Sequence, residues 1–179
     1  MQNFFIGTII FLSVILQTSF LPNIFPANFV PDITLVFIII WTARMDFNSV
    51  LKWTIIGGLM IDLVSFYPIG ISIFSFTAIA FIVNSLSKRF LVPHFAWKFL
   101  VLIIIVFLAT IINHIITAFL SGISVTGNVR ETLQSIFDSR LLLKPFYNLL
   151  IFAIIYWPIR KLDKFFSYQS QRVIIKRHV

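Results

Sequence analysis

Few side chains in this chain could take part in chemistry. Its 179 residues include six acidic side chains, three histidines and no cysteine, against 14 lysines and arginines. Without cysteine, disulfides, thiolate catalysis and zinc–thiolate sites are excluded. The candidates are the polar residues that interrupt long apolar runs: Gln17, Asp32, Asp62, Asn113, His114, Lys144 and Asn148. An ionisable group inside a bilayer costs about 2.5–3.5 kcal/mol on insertion scales, so each needs a partner or a task. Asp62 and Lys144 carry opposite charges, and pairing them would offset part of the desolvation of each. Taken together, the set has two readings. It is either interhelical hydrogen bonding, which averages about 0.6 kcal/mol per contact, or a polar cavity that binds a ligand or a partner segment. His114 alone fits a structural histidine better than a catalytic one.

Catalytic signatures are missing from the sequence. There is no HExxH, no GxSxG elbow, no Walker motif and no pair of acids at glycosidase-like spacing. Gly57-Gly58 precedes Asp62, but no lysine–serine pair follows, so it is not a phosphate loop. Small residues there favour close helix contact. Gly57, Gly58, Ala78 and Ala80 are the candidate contact positions, for this chain's own helices or for a foreign one. No enzymatic activity, cofactor or metal is expected. A binding, scaffolding or transport-accessory role remains.

The elements that must hold these residues are membrane helices. Hydrophobic residues make up 59% of the chain and charged ones 11%, with a mean hydropathy of +1.01. An average soluble domain carries about 25% charged residues. A soluble fold of this size could not hide so much apolar surface, and a disordered chain would not contain it. A bilayer core of ~30 Å takes ~20 helical residues. Six stretches answer to that, about 4–20, 32–44, 50–66, 71–86, 99–120 and 141–157. The expectation is therefore an all-α, polytopic membrane protein. One six-span domain would cover 1–157 and a basic tail 158–179. The first span reads as a retained helix, because no basic residue precedes it and no small-residue cleavage site follows it. Asp32, behind Pro31, is placed to cap the second span. Arg44, at the far end of that short span, is expected to snorkel toward the interface. Tyr67-Pro68-Ile69-Gly70 reads as a tight turn between spans three and four.

Basic residues set the orientation. With the N-terminus inside, Arg44, Lys52, Lys88, Arg89, Lys98 and the tail residues Arg160, Lys161, Lys164, Arg172, Lys176 and Arg177 are cytoplasmic. Only Arg130 and Arg140 lie outside, and Lys144 falls within the last span. Both termini are then cytoplasmic. Trp41, Trp53, Trp97 and Trp157 fall at the inner ends, as interfacial indoles would. The polar candidates gather at the outer depth. The basic charge serves orientation and docking on anionic lipids, each residue contributing ~1 kcal/mol; nucleic acid is not implied. Between the last two spans, Val129, Leu133, Ile136 and Phe137 recur at helical spacing behind an Asn128/Glu131 capping pattern. They predict a short amphipathic helix on the outer leaflet, placed to lid the polar cluster or to receive a partner.

QTSFLP at the end of the first span, PDITLVF entering the second, and GGLMIDLVSFYPIGIS resemble the rod shape-determining MreD family. The family pattern there is a glycine-bearing helix, an aspartate near its outer end and a proline–glycine turn. Gly57, Gly58, Asp62, Pro68 and Gly70 occupy those positions. The resemblance implies a non-enzymatic subunit of the bacterial elongation machinery in the inner membrane. It would act with the bitopic protein MreC, the actin-like MreB, the glycosyltransferase RodA and its transpeptidase penicillin-binding protein. The implied role is a scaffold for side-wall peptidoglycan synthesis and cell shape. The family is also similar in fold to the S components of energy-coupling vitamin transporters. That likeness implies an alternative, a small-molecule-binding subunit of a transporter.

Overall fold

The second apolar stretch, Ile-Thr-Leu-Val-Phe-Ile-Ile-Ile-Trp-Thr, has no polar face, and a helix hydrophobic all round must be covered on every side. In the computed structural model, which describes residues 2–25, 29–45, 47–65, 68–90, 95–125 and 143–158, this segment is the hub. The helices are α1 (Gln2–Ile15), α2 (Ile33–Thr42), α3 (Phe47–Val64), α4 (Ile71–Phe90) and α5 (Phe95–Val125), with a sixth, α6, over 143–158. No strand occurs among the described residues. Every residue of α2 but Phe37 is buried. Its ten residues extend only about 15 Å, half of a hydrocarbon core. Leu35, Val36 and Ile38 to Ile40 form the centre of the main core, with Phe76, Ile79 and Val83 of α4, Leu102 and Val106 of α5, and Phe152 of α6. Ile6 and Ile10 of α1 close the other side, against Trp41 and Val50.

Among the described residues, four stretches are long and apolar enough to cross a membrane: Phe4–Asn23, Phe47–Val64, Ile71–Lys88 and Phe99–Gly122. With α6 they surround the short α2, and the bundle leaves many large apolar groups outside. Phe4, Phe11, Phe74, Phe81, Phe146 and Ile154 are all exposed. Such a surface is stable only where lipid covers it. The chain is thus an all-α, multi-span membrane bundle.

The small residues work inside this bundle. A Cβ on Gly58 would lie 2.7 Å from the Ile73 Cα, so glycine is what lets α3 and α4 touch backbone to backbone. A Cβ on Gly57 would meet side chains at ordinary van der Waals distance, the Cγ2 methyls of Ile10 and Thr34 at 3.4 Å and Ile38 Cδ1 at 3.9 Å. Ala80 is fully buried in the core and Ala78 is half-buried. Trp41 is likewise a core residue, 6% exposed, packed with Ile6, Ile10 and Val50 and not turned outward as an interfacial anchor. The Arg44 guanidinium lies 5.0 Å from the centre of the Tyr156 ring, so a cation–π contact to α6 holds it. The amphipathic helix expected over 129–138, the basic tail from Arg160 to Arg177 and the Trp97 side chain lie outside the described residues.

Candidate functional site: a polar cup at one end of the bundle

α1 does not end as an ordinary helix. Pro22 has no N–H and its ring crowds the preceding turn. The ladder widens just before it into a π-helical turn, Leu16–Phe20, in which the Leu21 N–H bonds the Leu16 carbonyl. A 3-10 turn, Leu21–Asn23, follows. Gln17 lies in the π turn and reaches the start of α2 with both ends of its amide. Its Oε1 accepts the Thr34 backbone N–H at 3.1 Å, and its Nε2 donates to Asp32 Oδ1 at 3.3 Å.

Gln17 therefore performs the capping that Asp32 was placed to perform. Asp32 does occupy the N-cap position of α2, but its side chain makes no capping bond. The carboxylate instead collects three donors from three helices. Besides Gln17 of the α1 end, Asn113 Nδ2 of α5 donates at 3.2 Å and Lys144 Nζ of α6 lies 2.9 Å from Oδ2. A second layer fixes these groups. Ser75 of α4 donates to Asn113 Oδ1 at 2.6 Å. Asn148 accepts the Asp32 backbone N–H at 2.7 Å and donates to Thr110 Oγ1 at 3.0 Å. Asp32, Thr34, Ser75, Thr110, Asn113 and Asn148 are all buried. Closed polar networks of this kind are rigid, because loss of any member leaves a buried group unpaired.

Asp62 is not in this network. The expected Asp62–Lys144 pair is replaced by Asp32–Lys144. Asp62 accepts the backbone N–H groups of Gly70 at 2.8 Å, Ser72 at 2.9 Å and Ile73 at 3.4 Å. These are the first amides of α4, which lack intrahelical acceptors and carry the positive end of the helix dipole. A carboxylate one helix away thus caps α4, and it sits one turn beyond the Gly58 contact that brings the two helices together. Gly70, at φ +109°, bends the chain into that cap.

Above the network is a cavity of about 420 Å³. All six helices or their ends reach its wall, through Gln17, Asp32, Ile61, Ser72, His114 and Lys144. Asn113 also lines it, while Asn148 lies behind it, fully buried. Sequence reasoning thus found Gln17, Asp32, Asn113, Lys144 and Asn148, which the fold brings together, and His114, which it places on the cavity wall. Thr34, Ser75 and Thr110 were missed. Thr110 stands one helical turn before Asn113, a spacing that could have flagged it; Thr34 and Ser75 carry no such sign. Chemically, the Asp32 carboxylate is committed to its neighbours, holding the Gln17 and Asn113 amides and the Lys144 ammonium at once. Among the described residues no group of three or more His, Asp or Glu side chains could hold a metal ion.

Neither a curated protein nor a solved structure matches the chain. A family model described as rod shape-determining protein MreD matches residues 1–166. That match spans every helix described above, the Asp32 network and the Gly58–Asp62–Gly70 hairpin included, and the chain belongs to the rod shape-determining protein MreD family.

Proposed function

We propose that this protein is a non-enzymatic scaffold subunit of the rod-shape complex in the bacterial inner membrane. It binds MreC and, through the larger assembly, works with MreB, RodA and the RodA-associated transpeptidase. In this way it supports side-wall peptidoglycan synthesis and the regulation of cell shape. Both termini face the cytoplasm, and the basic tail rests on anionic lipid. The observation that carries the reading is the family match over residues 1–166, which implies a part in rod shape determination. The site geometry supports a structural role as well. The Asp32 carboxylate and the Asn148 amide join helices to one another and are not left poised for a substrate.

The test is affinity capture of the full chain from native membranes in mild detergent, with MreC followed by immunoblot. The expected result is stoichiometric recovery of MreC, and loss of rod shape on depletion of this chain. Recovery without MreC, in cells that stay rod-shaped on depletion, refutes the scaffold.

A further inference from the structure

The cup has more donors than its ion pair uses. An ammonium carries three N–H groups, and Lys144 has one partner, Asp32, among the described residues. Each side-chain amide has two N–H groups. Gln17 and Asn113 each direct one to the same carboxylate. The Ser72 hydroxyl, also on the cavity wall, donates to no partner among the described residues. The cup therefore surrounds one acceptor, already holding three donors, with more N–H and O–H groups than that acceptor can take. The opposite wall is complementary. Thr18, Thr117 and Ser121 give their hydrogens to carbonyls of their own helices, leaving oxygen lone pairs at the cavity.

Depth and size narrow the ligand. The cup sits in the last turns of the crossing segments Phe4–Asn23 and Phe99–Gly122. Helix ends lie where the hydrocarbon gives way to headgroups. At about 420 Å³ the cavity is at the small end of ligand sites, which run from about 300 to 1,000 Å³. It holds a headgroup and has no room for acyl chains. Lysine is a natural point-charge partner for phosphate.

We propose that the cup binds a phosphate carrying neighbouring hydroxyls, the phosphoglycerol chemistry shared by an anionic lipid headgroup and by soluble glycerol phosphate. The phosphate sits on the free face of the Lys144 ammonium, which then bridges it to Asp32. Ser72 and the second amide hydrogens of Gln17 and Asn113 complete its donors. The ligand hydroxyls donate to Thr18, Thr117 and Ser121. This site stands apart from the scaffold reading: MreC capture can fail while the cup binds, and the reverse.

The experiment is thermal unfolding of the purified full chain in a neutral detergent, with added glycerol phosphate, phosphatidylglycerol or phosphatidylcholine. At about a hundredfold excess over Kd the midpoint is expected to rise by roughly 5–10 °C. A rise with both glycerol phosphate and phosphatidylglycerol supports the site and shows that the soluble group suffices. A rise with phosphatidylglycerol alone supports it and makes the source a lipid. Lys144→Gln should abolish the shift, while Lys52→Gln, a change at an exposed lysine of α3, should keep it. Where Lys144→Gln does not fold, Thr117→Leu fills the cavity without touching the ion pair and should abolish the shift in its place. No rise with either phosphoglycerol probe, or a rise that survives the variant read, overturns the proposal.

Discussion

The Asp32–Lys144 pair can be separated from its alternative by a double-mutant cycle. The two side chains are 10% and 21% exposed and 2.9 Å apart, so both are largely desolvated. Removing one partner from such a pair costs about 3–5 kcal/mol in buried settings. The two single changes should not cost the same. Lys144→Met leaves the carboxylate with the Gln17 and Asn113 amides, which places it at about 2–3 kcal/mol, below that range. Asp32→Ala strips the acceptor from three donors at once, at about 1–3 kcal/mol for each left unsatisfied. Lys144 can turn into the cavity, so a total of about 4 kcal/mol is expected. The double variant lacks the orphaned charge, and should be more stable than the sum of the singles predicts by about 2 kcal/mol. For a chain of this length that coupling is about 4–8 °C in thermal midpoint. Asp62→Asn combined with Lys144→Met should be additive within about 0.5 kcal/mol, because those side chains share no partner. Midpoints in neutral detergent, backed by unfolding free energies from denaturing-detergent titration, read both cycles. Additivity at Asp32/Lys144, or coupling at Asp62/Lys144, would refute the network described here.

The remaining predictions concern the α3–α4 hairpin. Gly58→Ala should destabilise by about 1–3 kcal/mol, since its Cβ meets backbone and helices must part, whereas Gly57→Ala, whose Cβ meets side chains at ordinary contact distance, should change stability by under ~1 kcal/mol; matched melting curves compare them. Asp62→Ala should cost about 2–6 kcal/mol by orphaning two well-bonded amides of α4. Asp62→Asn, which keeps one acceptor, should cost about half as much, and hydrogen exchange should rise first at Gly70 and Ser72. Gly70→Ala should cost about 1 kcal/mol from its left-handed backbone alone, because nothing lies within 4 Å of the added Cβ. Gly70→Asn should recover part of that loss, read as the thermal midpoint.

Asp62 and Gly58 illustrate how far the sequence reaches. Their spacing along GGLMIDLVSFYPIG is local, so a close-contact glycine, an aspartate near the end of the helix and a turn could all be read from the chain. The partner of Asp62 could not. In a sequence, charge suggests charge, and Lys144 was the natural complement. In the fold, three backbone amides lie nearer, and a helix N-terminus satisfies a carboxylate as well as a cation does. Trp41 teaches the same lesson: residue type suggested the interface, while the packing of α1 and α3 against α2 left it in the core.

Composition and apolar run lengths determined by themselves that the chain is a lipid-embedded helical bundle, because bilayer thickness and backbone hydrogen bonding leave so few alternatives. They also singled out its sparse polar residues, since each carries a desolvation cost that marks it. Which of those residues meet was decided only by tertiary structure. Gln17 caps a helix to which it does not belong, and Asp32 gathers donors from residues 15, 81 and 112 positions away. Nothing in local spacing encodes such contacts. They follow from how the other five helices pack around α2, and from the π turn that aims Gln17 at its start.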